Sequence, residues 1–155
     1  MAMYLHGVHV PHRKKTRHKP VLRMEIPKTI TIPMAMHIGA PSTPIVKVGD
    51  EVKVGQKIAE AGGFVSVPIY SSVSGKVTKV TDYLNHDGKK IPALVIQSDG
   101  EQTVAETVAP PTVTNRDELL TALKESGVVG LGGAGFPTHV KFAVEPERIH
   151  YLIIN

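Results

Sequence analysis

The chain has 155 residues, 41% of them hydrophobic, with no cysteine, no tryptophan and a net charge of +4. That length fits one ordinary domain, or a small domain and part of another. The missing cysteines exclude disulfides, cysteine-held iron–sulfur clusters and thiolate zinc sites from these residues, and no apolar run reaches the roughly 18 residues a membrane-spanning helix needs.

Residues 1–28 form the first zone, broken by Pro11, Pro20 and Pro27. Arg13, Lys14, Lys15, Arg17 and Lys19 place five positive charges between His12 and Pro20, and taking those five from +4 leaves the rest of the chain one charge negative. The basicity therefore belongs to an extended arm. No aromatic residue is interleaved with this run, so the pattern that tracks a nucleic-acid strand is missing. The arm reads as a solvated tail, or as a segment docking on a partner protein or anionic lipid. His6, His9 and His12 have the spacing of metal ligands on a helix, but Gly7 and Pro11 argue against a helix, and no metal site is expected. The opening apolar stretch is too short and too rich in histidine for a secretory signal, so a cytoplasmic setting is expected.

The second zone, residues 29–108, is a succession of short alternating segments, the first opening one residue early: Lys28–Pro33, Ile45–Val48, Glu51–Val54, Gly75–Val80 and Ala93–Gln97. Each is followed or preceded by a turn signal such as Gly49-Asp50, Gly55-Gln56, Gly62-Gly63, Ser74-Gly75 or Asp87-Gly88. This rhythm predicts a mainly β unit, a small barrel or sandwich. There is a weak internal echo between Val46-Lys-Val-Gly-Asp-Glu-Val-Lys-Val-Gly-Gln-Lys-Ile58 and Ser72-Val-Ser-Gly-Lys-Val-Thr-Lys-Val80. The pair resembles the biotinyl and lipoyl carrier domains, which implies a barrel-sandwich hybrid fold. A carrier needs an exposed lysine at the tip between the two arms. Here the tip, Ala61–Tyr70, has none. His37 is expected to be structural, bonding to a turn carbonyl.

The third zone, residues 109–155, starts at the Pro110-Pro111 linker. Thr114–Gly127 predicts a helix with Thr114 as N-cap, Asp117 and Glu118 at its positive end, an apolar face of Leu119, Leu120 and Leu123, and Gly127 closing it. Next comes Gly130-Leu-Gly-Gly-Ala-Gly-Phe-Pro-Thr138. Glycines at 130, 132, 133 and 135 free the backbone N–H groups to turn towards one anion, and Pro137 is expected at the first position of a short helix whose positive end faces it. Lys141 would add a full charge. Ile149–Ile154 reads as a buried-type strand, so the zone looks like the start of a larger α/β unit.

The string Gly-Leu-Gly-Gly-Ala-Gly-Phe-Pro-Thr-x-x-Lys, residues 130–141, resembles the flavin-mononucleotide loop of the NADH-oxidising subunit of respiratory complex I. The usual form there has Arg where this chain has Leu131 and Gly where it has His139; the leucine is the form seen in the Rnf branch. Gly7-Val-His-Val-Pro-His-Arg-Lys-Lys-Thr16 resembles the opening of the RnfC family of the Rnf electron transport complex, and Met36-His-Ile-Gly-Ala-Pro41 its Gln-His-Ile-Gly-Ala-Pro segment, with Met36 for Gln. Leu152-Ile-Ile-Asn155 resembles the strand before that family's Asn-Gly-Ala-Glu-x-Glu-Pro motif. The resemblance covers essentially the whole chain.

It implies a barrel-sandwich domain followed by the beginning of a Rossmann-like domain that binds FMN and meets NADH. Gly130, Gly132, Gly133, Ala134, Gly135 and Phe136 should run along the flavin, Lys141 approach its phosphate, and Asn155 approach its ring or ribityl chain. It also implies an ion-translocating NAD:ferredoxin oxidoreductase as parent complex, partner subunits at the cytoplasmic face of the membrane, and 4Fe-4S clusters carried outside these residues. No catalytic acid or base is expected, because hydride acceptance belongs to the flavin. A soluble relative feeding another reductase, and a non-enzymatic interaction module, are the alternative readings.

Overall fold

A computed structural model describes residues 11–151; His6, His9 and Asn155 lie outside the described residues. Seven strands are built from residues 29–98: β1 Thr29–Pro33, β2 Thr43–Pro44, β3 Glu51–Val52, β4 Lys57–Glu60, β5 Ile69–Tyr70, β6 Gly75–Leu84 and β7 Lys90–Ser98. They form a four-stranded sheet in the order β1-β7-β6-β3 and a three-stranded sheet in the order β2-β4-β5. Every pairing between these strands is antiparallel.

The core lies between the sheets. The alternation in β1 points Ile32 inward, opposite Leu94 of β7. Val77 and Ile96 face each other across β6 and β7, and Ile58 and Ile69 come from the second sheet. A bulge between Val77 and Lys79 bends β6, as a curved sheet requires.

Two tetrapeptides on either side of β3, Lys47-Val-Gly-Asp50 and Lys53-Val-Gly-Gln56, fold as the same turn. In each, the lysine N–H donates to the side-chain oxygen of the fourth residue (both 2.9 Å), whose own N–H returns to the lysine carbonyl (both 3.1 Å). These side-chain bonds compete with the ladder. Ile45–Val48 is accordingly not a strand, contrary to the sequence expectation, although Val46 still packs against the core.

The β6–β7 hairpin is longer than the alternation suggested. Its outer part is exposed on both faces and so carries no period-2 signal, while Asn85 Oδ1 accepts from the N–H of Asp87 and Lys89 to close the turn.

Beyond the sandwich come α1 (Arg116–Glu125), α2 (Thr138–Phe142) and a 3-10 turn at Pro146–Arg148. The N-cap of α1 is Asn115, not Thr114. Its side chain accepts from Glu118 N–H at 2.9 Å, while Glu118 reaches back to the Thr114 N–H (2.7 Å) and hydroxyl (2.8 Å). Asn competes well for this position, and the Thr114–Glu118 pair closes the cap from outside. At the other end Gly127 (φ +65°) follows the cap residue Ser126. Gly127 N–H bonds to Lys124 and Val128 N–H to Leu123, the paired bonds of a Schellman close. No residue of α1 is buried. Ile149–Tyr151 are not in a strand, and Tyr151 is 89% exposed; the rest of that expected strand lies outside the described residues.

Candidate functional site

The glycine loop is pinched at its stem. Gly130 N–H donates to the Phe136 carbonyl (3.0 Å) and Thr138 N–H to that of Val128 (2.9 Å), with Val129 bridging Pro137 antiparallel. Pro137 is buried and takes the N-cap position of α2 (φ −57°, ψ 125°), not the first helical one. Its extended ψ is what lets the next N–H turn back to Val128.

The loop leans on the sandwich. Ile38 N–H donates to the Ala134 carbonyl at 3.1 Å. Gly135 has φ +65°, and a Cβ there would sit 3.2 Å from the Met36 carbonyl oxygen and 3.3 Å from His37 Cα. Both facts call for glycine. Gly132, which shares the left-handed φ (+78°), and Gly133 differ in the space around them: no atom outside their immediate chain neighbours would lie within 4 Å of a Cβ at either position. They stand open, beside Leu131, which is 98% exposed.

Gly130, Gly132, Gly133, Ala134 and Gly135 together line a groove of about 820 Å3, with Met36, His37 and Ile38 and the hairpin residues Tyr83, Asn85, His86, Asp87 and Ile91. The hairpin is some fifty residues away in sequence, and no local signal announced it. Phe136 and Lys141 are not among the lining residues. They meet at the stem, with Lys141 Nζ 6.0 Å from the Phe136 ring centre and beside Gly130. Lys141 forms no ion pair among the described residues.

Two histidines support this arrangement. His37 Nδ1 lies 3.1 Å from the carbonyl of Ile38 and must donate to it, so Nε2 is an acceptor, 3.4 Å from Val67 N–H and close to Ser42 and Ser66. This is the structural role expected for His37. His139, seen in the sequence only as a departure from glycine, is 6% exposed; its Nε2 donates to the Phe64 carbonyl at 3.1 Å and its ring meets Phe64 edge-on.

Farther along the same face, Lys57 Nζ pairs with Glu125 at 2.7 Å and with Glu60, and Tyr70 donates its hydroxyl to the Glu125 carbonyl. The hydrogen bond it donates to Glu125 holds the Lys57 ammonium above its ordinary pKa, and burial raises Tyr70. These contacts fasten the end of α1 to β4 and β5.

His12 is exposed in the arm, and no group of three histidine, aspartate or glutamate side chains among the described residues is placed to hold a metal ion. No helix among them is long and apolar enough to cross a membrane.

Comparison with known families matches residues 3–101 to the RnfC barrel sandwich hybrid domain and residues 123–155 to the Nuo51 FMN-binding domain. The chain is 44% identical over 154 residues to the C subunit of the Na(+)-translocating ferredoxin:NAD(+) oxidoreductase complex of Acetobacterium woodii, covering 96% of this chain and 35% of that protein. It is 44% identical over 156 residues to the C subunit of the proton-translocating ferredoxin:NAD(+) oxidoreductase complex of Clostridium ljungdahlii, covering 96% and 34%. Identity to the C subunit of the ion-translocating oxidoreductase complex of Pseudomonas aeruginosa is 36% over 149 residues, covering 93% and 19%. The chain thus spans about a third of the length of the first two relatives.

Proposed function

The chain belongs to the family of the RnfC barrel sandwich hybrid domain, and on that premise we propose that it is the N-terminal part of the electron-input subunit of an ion-translocating NAD:ferredoxin oxidoreductase. The glycine loop forms one wall of its FMN and NADH site. The observation that carries this reading is the contrast within the loop: its stem and Gly135 are pinned, while Gly132 and Gly133 stand open. Pre-set, uncovered amides are what an anionic ligand needs.

Gly130, Gly132, Gly133, Ala134, Gly135 and Phe136 run along the flavin, Lys141 supplies a charge for its phosphate, and Asn155 approaches the ring or ribityl chain. The flavin, when bound, supplies hydride acceptance. This chain's own residues bind and orient it, and none serves as acid or base. Residues 1–28 are an arm, 29–108 the barrel-sandwich domain, and 109–155 the beginning of a Rossmann-like FMN domain. With no cysteine here, any 4Fe-4S clusters are held by other residues of the subunit. The protein is peripheral at the cytoplasmic face of the cell membrane, held by partner subunits.

Flavin titration of the protein as the cell makes it tests the loop. Gly133→Asp, which puts a carboxylate where phosphate oxygens would lie, and Lys141→Ala should each weaken FMN binding. Unchanged affinity in the double variant would remove the assignment.

A further inference from the structure

The tip of the sandwich, where a carrier domain would display its lysine, points to a different use. Two stretches of the sandwich approach each other there, Met36–Pro41 and Gly62–Val67. They are tied by Ala40 N–H to the Val65 carbonyl (3.0 Å) and, one residue past the first stretch, by Ser42 Oγ to the Val67 carbonyl (2.9 Å), while Gly62 N–H to Ser66 Oγ (3.0 Å) closes the second stretch on itself. His37 bridges the two stretches through Nε2. A Cβ on Gly39 would collide with the Val65 carbonyl, so the two backbones touch. This is a stiff platform, and both anchors of the glycine loop stand on it.

The first anchor is the Met36–Ile38 stretch under Ala134 and Gly135. The second is His139, in the first turn of α2, bonded to Phe64 at the tip. The Phe64 carbonyl can only accept, so Nε2 carries a proton and donates it. Nδ1 is buried without a partner among the described residues. A merely space-filling side chain would not bring that cost with it. Phe64 itself is 69% exposed, and its ring meets the His139 imidazole edge-on.

We infer that the sandwich tip is a brace that sets the position of the nucleotide loop, with His139 as the positioning residue that joins α2 to it. The inference rests on the flavin reading only for its functional consequence; the mechanical part stands on the contacts above.

The test uses the protein as the cell makes it, with His139→Leu, which keeps bulk without a donor, and His139→Gln, whose amide can reach the Nε2 position. Phe64→Ala, at an exposed site, removes the ring contact without risk to the core. Amide hydrogen exchange at Leu131–Gly135, measured without flavin, should rise in His139→Leu and less in Phe64→Ala, and stay near wild type in His139→Gln. FMN affinity should fall about tenfold in His139→Leu, the equivalent of one lost buried hydrogen bond, with a shifted flavin midpoint potential; both should be restored in His139→Gln.

Unchanged loop exchange in both His139→Leu and Phe64→Ala overturns the brace. Wild-type affinity and potential in His139→Leu, with Gly133→Asp still impaired, overturns its functional role and leaves the flavin reading standing. Full affinity in Gly133→Asp and Lys141→Ala counts against the flavin reading, and the exchange measurement still decides the brace.

Discussion

The barrel-sandwich and the segment from residue 109 onward are held by different physics. Ile58, Val77, Leu94 and Ile96 of the sandwich are wholly buried, whereas α1 buries nothing completely. The later segment is fastened by separate contacts: Lys57 to Glu125, Tyr70 to Glu125, Ile38 to Ala134, His139 to Phe64, and within it Arg116 to the carbonyls of Phe142 (3.2 Å) and Val144 (2.7 Å). A packed core opens only globally, while a segment held by a few polar contacts opens locally at lower cost. Ligand loops are drawn from the second kind. In this molecule the sandwich supplies rigidity and the loop segment borrows it.

The sharpest break of that contrast is a cavity in the core. Leu94→Ala should cost about 2–5 kcal/mol, seen as a lower urea midpoint for the whole sandwich; a smaller loss would mean that the two sheets collapse onto the gap. Gly135→Ala comes next. It combines a left-handed φ with a close approach to Met36 and His37, and should cost about 1–2 kcal/mol, accompanied by faster amide exchange in the loop and an intact sandwich.

Asn115→Ala should cost about 1 kcal/mol, confined to α1, and a helix-specific loss of circular dichroism would show it. The same cap gives a pH dependence. Bonds from the Thr114 N–H and hydroxyl hold the Glu118 carboxyl below its ordinary 4.5, so its contribution is present above pH 4.5 and fades as pH falls through the lowered value. Acid titration should fray α1 there. Smallest of all, Leu131→Arg should leave stability within about 0.5 kcal/mol of wild type, since Leu131 is 98% exposed. A larger change would show that Leu131 has a packing role.

Much of the sandwich was legible because its physics is local. Alternation in Lys28–Pro33 and Ala93–Gln97 put strands at the right places, and Gly127 marked the end of α1. The failures have equally local causes. Ile45–Val48 alternates like a strand, but Asp50 captures the Lys47 N–H. Thr114 and Asn115 are both good caps, and in the fold Asn115 takes the Glu118 N–H while Thr114 bonds the Glu118 side chain. The glycine loop was visible as a motif, yet the sequence could not distinguish glycines that pack from glycines that stand open.

By itself, then, the sequence determined the family, the barrel-sandwich, the absence of a carrier lysine at the tip and the presence of the glycine loop, because each is written in neighbouring residues. Tertiary structure decided which glycines are free, which hairpin lines the groove, and that His139 joins α2 to the tip. Those depend on contacts across tens of residues, and a contact between distant segments leaves no period in the chain that makes it.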